Sequence, residues 1–331
     1  MHEQSEIVAT GWAYPSERVD NATYLARCRF PLPDPEAIAA ETRVRTRTWC
    51  APDENTWTLA RAATERALAA DPELRAQIDL VVVASGTTMP VHHPPDPDNA
   101  GMADLAPMVV HHLGRDGALG IDVKACYCTG FLRGLQIADA MLVRGGFRAA
   151  LVIASEQGSR FAVAESNRSQ FCFIMADAAG AAILRPAARA PRRGILGHVG
   201  HTDGGKLDWV GIGGDAASTI MRGSRAGEAV HELLVRCARE LLERHRLGPG
   251  DVDWLLPIQT HAGVVEGLRA ALDWPADKLL WFGDVTGFAG SASIPACLAE
   301  QRARGTIAKG DLILSVAVGA GLSGAAALYH A

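Results

Sequence analysis

Runs with the composition of buried strands alternate along this chain with segments of helical apolar period, and that alternation restricts the fold more than any other feature. Runs of Val, Ile, Leu and Ala predict strands at 79–85, 149–155 and 179–185, joined by helices at about 56–70 and 129–144. A second series carries strands near 194–200, 253–257, 311–317 and 324–329, with helices near 226–246, 262–273 and 291–304. Strand and helix in alternation imply an α/β fold with a mainly parallel sheet covered on both faces. Ala149 to Ser155 is apolar enough for a strand buried on both sides. The two series also end alike, in Ala179-Gly-Ala-Ala-Ile-Leu184 and Ser323-Gly-Ala-Ala-Ala-Leu328.

Bulk properties exclude several classes. A chain of 331 residues can bury a large core. A net charge of −5 with 21% charged residues suggests neither nucleic acid nor an anionic membrane as a partner. No apolar run reaches transmembrane length, and Met1-His-Glu-Gln-Ser-Glu6 lacks the basic and apolar regions of a secretion signal, so a cytoplasmic protein is expected. The seven cysteines, Cys28, Cys50, Cys126, Cys128, Cys172, Cys237 and Cys297, are odd in number and scattered, as free thiols in a reducing compartment would be. No second Cys/His pair stands at zinc-finger spacing, and no metal site is expected.

One segment carries chemistry. Asp122-Val-Lys-Ala-Cys-Tyr-Cys-Thr-Gly-Phe131 sets a cysteine between a strand and a helix that is apolar on most of its circumference, through Phe131, Leu132, Leu135, Ile137, Ala138, Met141 and Leu142. Cys128 falls at that helix's N-terminus, where unpaired backbone N–H groups and the helix dipole favour a thiolate. A thiolate can take an acyl group from a thioester and pass it on. The alternative is one more buried cysteine. Cys126, two residues earlier on the extended segment, lacks the helix N-terminus.

The run of strand, Cys128-Thr-Gly-Phe131, apolar helix and Ala149-Ala-Leu-Val-Ile-Ala-Ser-Glu156 resembles the active-cysteine region of the β-ketoacyl-ACP synthase III family, which has the thiolase fold. Arg45-Thr-Arg-Thr-Trp-Cys-Ala-Pro-Asp-Glu54, Ile78-Asp-Leu-Val-Val-Val-Ala-Ser-Gly-Thr87, Ala176-Asp-Ala-Ala-Gly-Ala-Ala-Ile-Leu184, Gly287-Phe-Ala-Gly-Ser-Ala-Ser-Ile-Pro295 and the segment from Gly310 to Ala326 resemble further family landmarks, in the family's order. The resemblance implies two duplicated α-β-α-β-α halves with mainly parallel five-stranded sheets, divided as 1–187, carrying the nucleophile, and 188–331. It also implies a homodimer and no cofactor, with phosphopantetheine or CoA thioesters as substrates delivered by acyl carrier protein or as acyl-CoA.

Two positions depart from the family pattern. The family completes its triad with a His in Pro-His-Gln-Ala-Asn and an Asn in Gly-Asn-Thr-Ser, which together hold the malonyl thioester carbonyl as CO2 leaves. Here Pro257-Ile-Gln-Thr-His261 puts Ile258 at the first place, and Gly287-Phe-Ala-Gly290 puts Phe288 at the second. Neither side chain donates a hydrogen bond, and one lost oxyanion donor costs about 2.7–4 kcal/mol of transition-state stabilisation. Loading of the cysteine depends less on that pair: it uses the helix N-terminus and the backbone of the Gly-rich turn, matched by Gly319-Ala320-Gly321. His261 is placed to act as a general base or merely to cap the helix beginning near Ala262.

The Pro-rich stretch Met89-Pro-Val-His-His-Pro-Pro-Asp-Pro-Asp-Asn99 reads as a loop. The family's equivalent lies at the dimer interface near the acyl pocket, which makes His92 and His93 either pocket groups or structural ones. His111 and His112 read as structural. Asp20 to Thr42 lacks the Trp that often stacks on CoA in the family, and Gly263 stands where the family has an Arg, two departures that weigh against CoA as the donor. Arg43, Arg45 and Arg47 are either carrier-protein contacts or a solvated face. His201-Thr-Asp-Gly-Gly205 has no nucleotide-binding spacing and reads as a turn. The expectation is an acyltransferase acting through acyl-Cys128 on a small-molecule acceptor or a second carrier. Its alternatives are a condensing enzyme with a rearranged site and a non-catalytic partner subunit.

Overall fold

The computed structural model describes residues 4–28, 32–88, 104–124, 127–162, 170–212, 219–221 and 223–331. In chain order the strands are β1 (Gln4–Ala13), β2 (Glu17–Asp20), β3 (Thr46–Trp49), β4 (Ile78–Ala84), β5 (Leu119–Val123), β6 (Ala149–Gln157), β7 (Asp177–Ala187), β8 (Ile195–Thr202), β9 (Val210–Ile212), β10 (Thr219–Met221), β11 (Trp254–Pro257), β12 (Leu312–Gly319) and β13 (Ser323–His330). Two sheets form the core, one in the order β1-β7-β6-β4-β5 and one in the order β11-β12-β13-β8.

The second sheet repeats the first. β8 pairs antiparallel with β13, β13 antiparallel with β12, and β12 parallel with β11. The first sheet shows the same senses at β1-β7, β7-β6 and β6-β4, then adds β5 parallel to β4. The shared Gly-Ala-Ala endings lie on the matching strands β7 and β13. The expected duplication is therefore present, with two differences of detail. Pairing is mixed rather than mainly parallel, and the second sheet has four strands among the described residues. β12 and β13 are joined by a tight turn, which leaves no length for the crossover that parallel pairing requires.

Helices fill the places that the apolar periods predict. Thr56–Leu68 starts at Asn55, whose side chain accepts from the Trp57 and Thr58 amides in a capping box. Gly130–Arg144 packs Phe131, Leu132, Leu135, Ala138 and Leu142 inward, and Ser293–Arg304 ends at Gly305 with φ +76°. β6 is buried along almost its whole length and lies between β4 and β7, as its composition requires. β1 and β3 are not among the strands that the sequence predicts, and β5 only as the strand before the cysteine turn. They alternate or carry polar residues, β3 as Thr46-Arg-Thr-Trp49, and so lack the continuous apolar run that marks a central strand.

Candidate active site

The C-terminal ends of β4 and β6 and the start of helix Gly130–Arg144 converge on Cys128. Thr129 is the N-cap, so the cysteine sits one residue outside the helix, in the turn closed by the Gly130 amide on the Tyr127 carbonyl at 2.9 Å. Tyr127 has φ +59°, unusual for a residue with a side chain. Its ring lies where a Cβ on Gly86 would fall, 1.8 Å from Cδ1, so only glycine fits at 86. Gly130 lets the helix start approach β4 and the Ser291 loop, since a Cβ there would come within 2.8 Å of the Ala84 Cβ.

Cys128 opens onto two spaces. The outer is a cavity of about 700 Å3 whose lining includes Cys128, Ile258, His261, Phe288, Gly319 and Ala320. All the candidate residues of the described chain thus share one wall system, although they come from four separate segments. The inner is a pocket of about 60 Å3 walled by Phe161, Phe171, Met175 and Phe288, with Glu156 and Ala320 also on its lining. Ala320 belongs to both, because the turn between β12 and β13 projects beside the cysteine. His92, His93 and Cys126 lie outside the described residues.

Ile258 and Phe288 are buried, each 3% exposed. The Ile258 amide donates to the Val316 carbonyl at 2.9 Å, which carries β11 alongside β12 as far as the cavity. Phe288 is pinned on both sides: its amide donates to the Ile174 carbonyl at 2.7 Å and its carbonyl accepts from the Ala176 amide at 2.9 Å. Gln259 fixes the segment between them, donating to the Pro257 and Leu280 carbonyls and accepting from the Phe282 amide.

His261 is the N-cap residue of helix Ala262–Ala271, yet its side chain makes no capping bond. Its Nδ1 is buried with no hydrogen-bond partner. Burial pushes the imidazole below its ordinary pKa while Glu41, on the same cavity wall, works in the opposite direction. The result is a histidine held toward its neutral, basic form in the cavity that Cys128 lines.

Glu156 is the residue that sequence reasoning passed over. It is the second-last residue of β6, is 2% exposed, and has neutral donors on its carboxyl group: Ser291 Oγ at 2.6 Å, Thr87 Oγ1 at 2.6 Å and the Gly86 amide at 3.1 Å. Burial raises its pKa and the hydrogen bonds oppose the rise. The available signal was a single carboxylate at the C-terminal end of an otherwise apolar strand, the edge at which open α/β sheets hold their ligands.

The arginine run divides. Arg47 is fully buried between the Tyr24 and Phe173 rings, at 4.8 and 4.7 Å, and donates to Val19 and Asn21, so it cannot meet a partner protein. Arg43 and Arg45 are exposed, pairing with Glu266 and Asp284, and border a surface depression beside Trp281. His112 bonds Glu65 at 2.6 Å, a structural contact. The run from His201 to Gly205 ends β8 in a short turn capped by Asp203. Among the described residues no three His, Cys, Asp or Glu side chains gather as metal ligands, and no helix is long and apolar enough to cross a membrane.

Comparison with known proteins bears on this geometry. The family model for 3-oxoacyl-[acyl-carrier-protein] synthase III matches residues 121–204, and that for the C-terminal part of the same enzymes matches residues 242–331. The β-ketoacyl-[acyl-carrier-protein] synthase III of Sphingopyxis alaskensis is 32% identical over 336 residues, covering 100% of both chains. The crystal structure of the priming β-ketosynthase of the R1128 polyketide pathway superposes with TM-score 0.86 at 28% identity, covering 99% of this chain and 97% of that one. That of synthase III from Thermus thermophilus gives TM-score 0.84 at 26% identity, covering 98% and 99%.

Proposed function

We propose that this chain, which belongs to the β-ketoacyl-[acyl-carrier-protein] synthase III family, is an acyltransferase that carries its acyl group on Cys128 without decarboxylating malonyl units. The observation that supports the reading is one cavity lined by Cys128, Ile258 and Phe288 together, the last two standing, by counted sequence position, where the family has its two carbonyl-holding residues.

The chemistry divides into two displacements. The Cys128 thiolate attacks the carbonyl of an acyl-carrier-protein or acyl-CoA thioester, the donor C–S bond breaks, and the donor leaves as a thiolate. An O, N or S nucleophile of the acceptor then attacks the acyl-Cys128 carbonyl. Its proton passes to neutral His261, the C–S bond to Cys128 breaks, and the thiolate is regenerated. Backbone N–H groups beside Cys128, at the helix start and at Gly319-Ala320, are suited to the developing oxyanion. His92 and His93 remain candidates for the pocket. The same reading divides the chain into halves 1–187 and 188–331, a division supported by the end of β7 at Ala187 and the start of β8 at Ile195.

A condensing enzyme is the second reading, favoured by the imidazole of His261 in the cavity, which would have to replace two lost donors. Intact-protein mass spectrometry after incubation with acyl thioesters tests the first step: wild type should gain one acyl group, mapped to Cys128 and not Cys126, and Cys128→Ala should gain none. Labelled malonyl-ACP separates the readings. Stoichiometric CO2 release with a β-ketoacyl product would replace the acyltransferase by a ketosynthase.

A further inference from the structure

We infer that the acceptor is a small amine carrying a second positive charge, drawn in by Glu41 and Glu228 at the mouth of the outer cavity and released as an amide. The inference rests on the acyltransferase reading and deepens it by naming the class of acceptor.

Exposure orders the wall of that cavity. Glu41, from helix Pro35–Thr42, and Glu228, from helix Gly223–His245, line it and are exposed, so they stand at its mouth. Cys128 and His261 are half-buried, and Leu234, Ile258 and Phe288 are buried at its depth. The space between measures about 700 Å3, enough for a small molecule beside the acyl-cysteine.

The charge around this space has one sign. Glu41 and Glu228 are joined on the described lining by the imidazoles of His231 and His261, and by no Lys or Arg. Positive charge lies outside, where Arg43 pairs with Glu266, Arg45 pairs with Asp284, and both border a separate depression. A cleft lined by one sign of charge focuses its field and raises the local concentration of the opposite ion. A cation is therefore drawn into this mouth and a carboxylate is repelled. Val230, Val264 and Leu322 on the same wall suit a hydrocarbon body between the two ends of the acceptor.

The base inside favours nitrogen over oxygen as the nucleophile. No carboxylate bonds His261 Nδ1 to strengthen the imidazole, and burial lowers its basicity although Glu41 opposes the shift. An alcohol must give up its proton as it attacks, which asks for a strong base. A neutral amine attacks through its own lone pair, and its nitrogen becomes acidic only once the C–N bond has formed. That bond forms at the acyl-Cys128 carbonyl, the C–S bond breaks, and Cys128 leaves as a thiolate. The surplus proton on nitrogen passes to His261 and from there to solvent. The second ammonium group keeps its proton at the mouth, beside the two carboxylates.

Single-turnover transfer from enzyme pre-loaded with an acetyl group tests the assignment. Putrescine, pentylamine and γ-aminobutyrate are amines of similar length whose far ends are positive, neutral and negative. At equal concentrations of free amine and low salt, putrescine should react about tenfold faster than pentylamine and about 100-fold faster than γ-aminobutyrate. Both margins should shrink at high salt. Glu228→Gln and, separately, Glu41→Gln should each lower the putrescine-to-pentylamine ratio about two- to fivefold, as suits exposed charges. The ratio within one preparation does not depend on how much of a variant folds. Equal rates for the three amines would overturn the inference, as would transfer to none of them from loaded enzyme or a ratio unmoved in both variants. Loading from no donor at all would instead overturn the acyl-enzyme reading.

Discussion

The Ser291 hydroxyl donates to Glu156 Oε1 at 2.6 Å, joining residues 135 positions apart. Ser291 follows Phe288 by three residues, and Glu156 lies one residue before the end of the strand beside the cysteine turn. This bond, with that of Thr87 to the other carboxyl oxygen, fixes the loop that carries Phe288 against the strand ends that present Cys128.

Glu156→Gln tests that arrangement. The new amide would place N–H groups against the hydroxyl and amide donors, and leaving such buried groups unsatisfied costs about 1–3 kcal/mol. Denaturant unfolding should show a loss of that size. The pH dependence has a definite sign. Burial raises the Glu156 pKa above its ordinary 4.5, so in the window just above 4.5 the folded protein binds more protons there than the unfolded chain. The stability advantage of wild type over Glu156→Gln should therefore be largest below that window and decline as pH rises through it. An advantage that grows with pH would contradict the raised pKa.

His261→Ala should slow transfer to the acceptor by about 10²–10⁴-fold while Cys128 still loads, giving a burst of acyl-enzyme followed by slow turnover. Because burial lowers the His261 pKa below 6.5, its imidazole stays neutral at pH 7. The transfer rate of the wild type should be level above neutrality and fall only as pH drops through a value under 6.5. The unfolded chain binds the extra proton first, so His261 also withdraws stability as pH falls through the same window. Single-turnover transfer from pre-loaded enzyme across this pH range checks both the magnitude and the limb.

A homodimer is expected through the free edge of the first sheet. Among the described residues β5 pairs only with β4, and Leu119 on it is 44% exposed, an edge that stable proteins cover or pair. Sedimentation equilibrium at micromolar concentration should give twice the 35.0 kDa chain mass. A monomer would contradict the dimer that the family resemblance implies.

Much of this was legible in the residues themselves. Buried strands such as β4, β6 and β12 announce themselves through unbroken apolar runs, and the helix after Cys128 through its period, because burial on both faces leaves no room for polar residues. The motif order gave the family, and counting along its motifs gave Ile258 and Phe288 as the proposed departures from its triad. Other features required long-range contact. Arg45 and Arg47 look alike in an extended segment, yet Arg45 precedes β3 and pairs with Asp284 at the surface, while Arg47, opposite Val19 of β2, lies between two rings. His261 reads equally well as a cap or a base until its side chain is seen to make no cap. The two spaces around Cys128 are bounded by residues from both halves of the chain, and local sequence periods carry no information about which distant side chains will face one another across a gap. The sequence by itself determined the family and the fold, and it singled out Cys128, Ile258 and Phe288 as the candidate site residues. The tertiary structure decided what fills the space around them, because volume and burial are properties of packed neighbours.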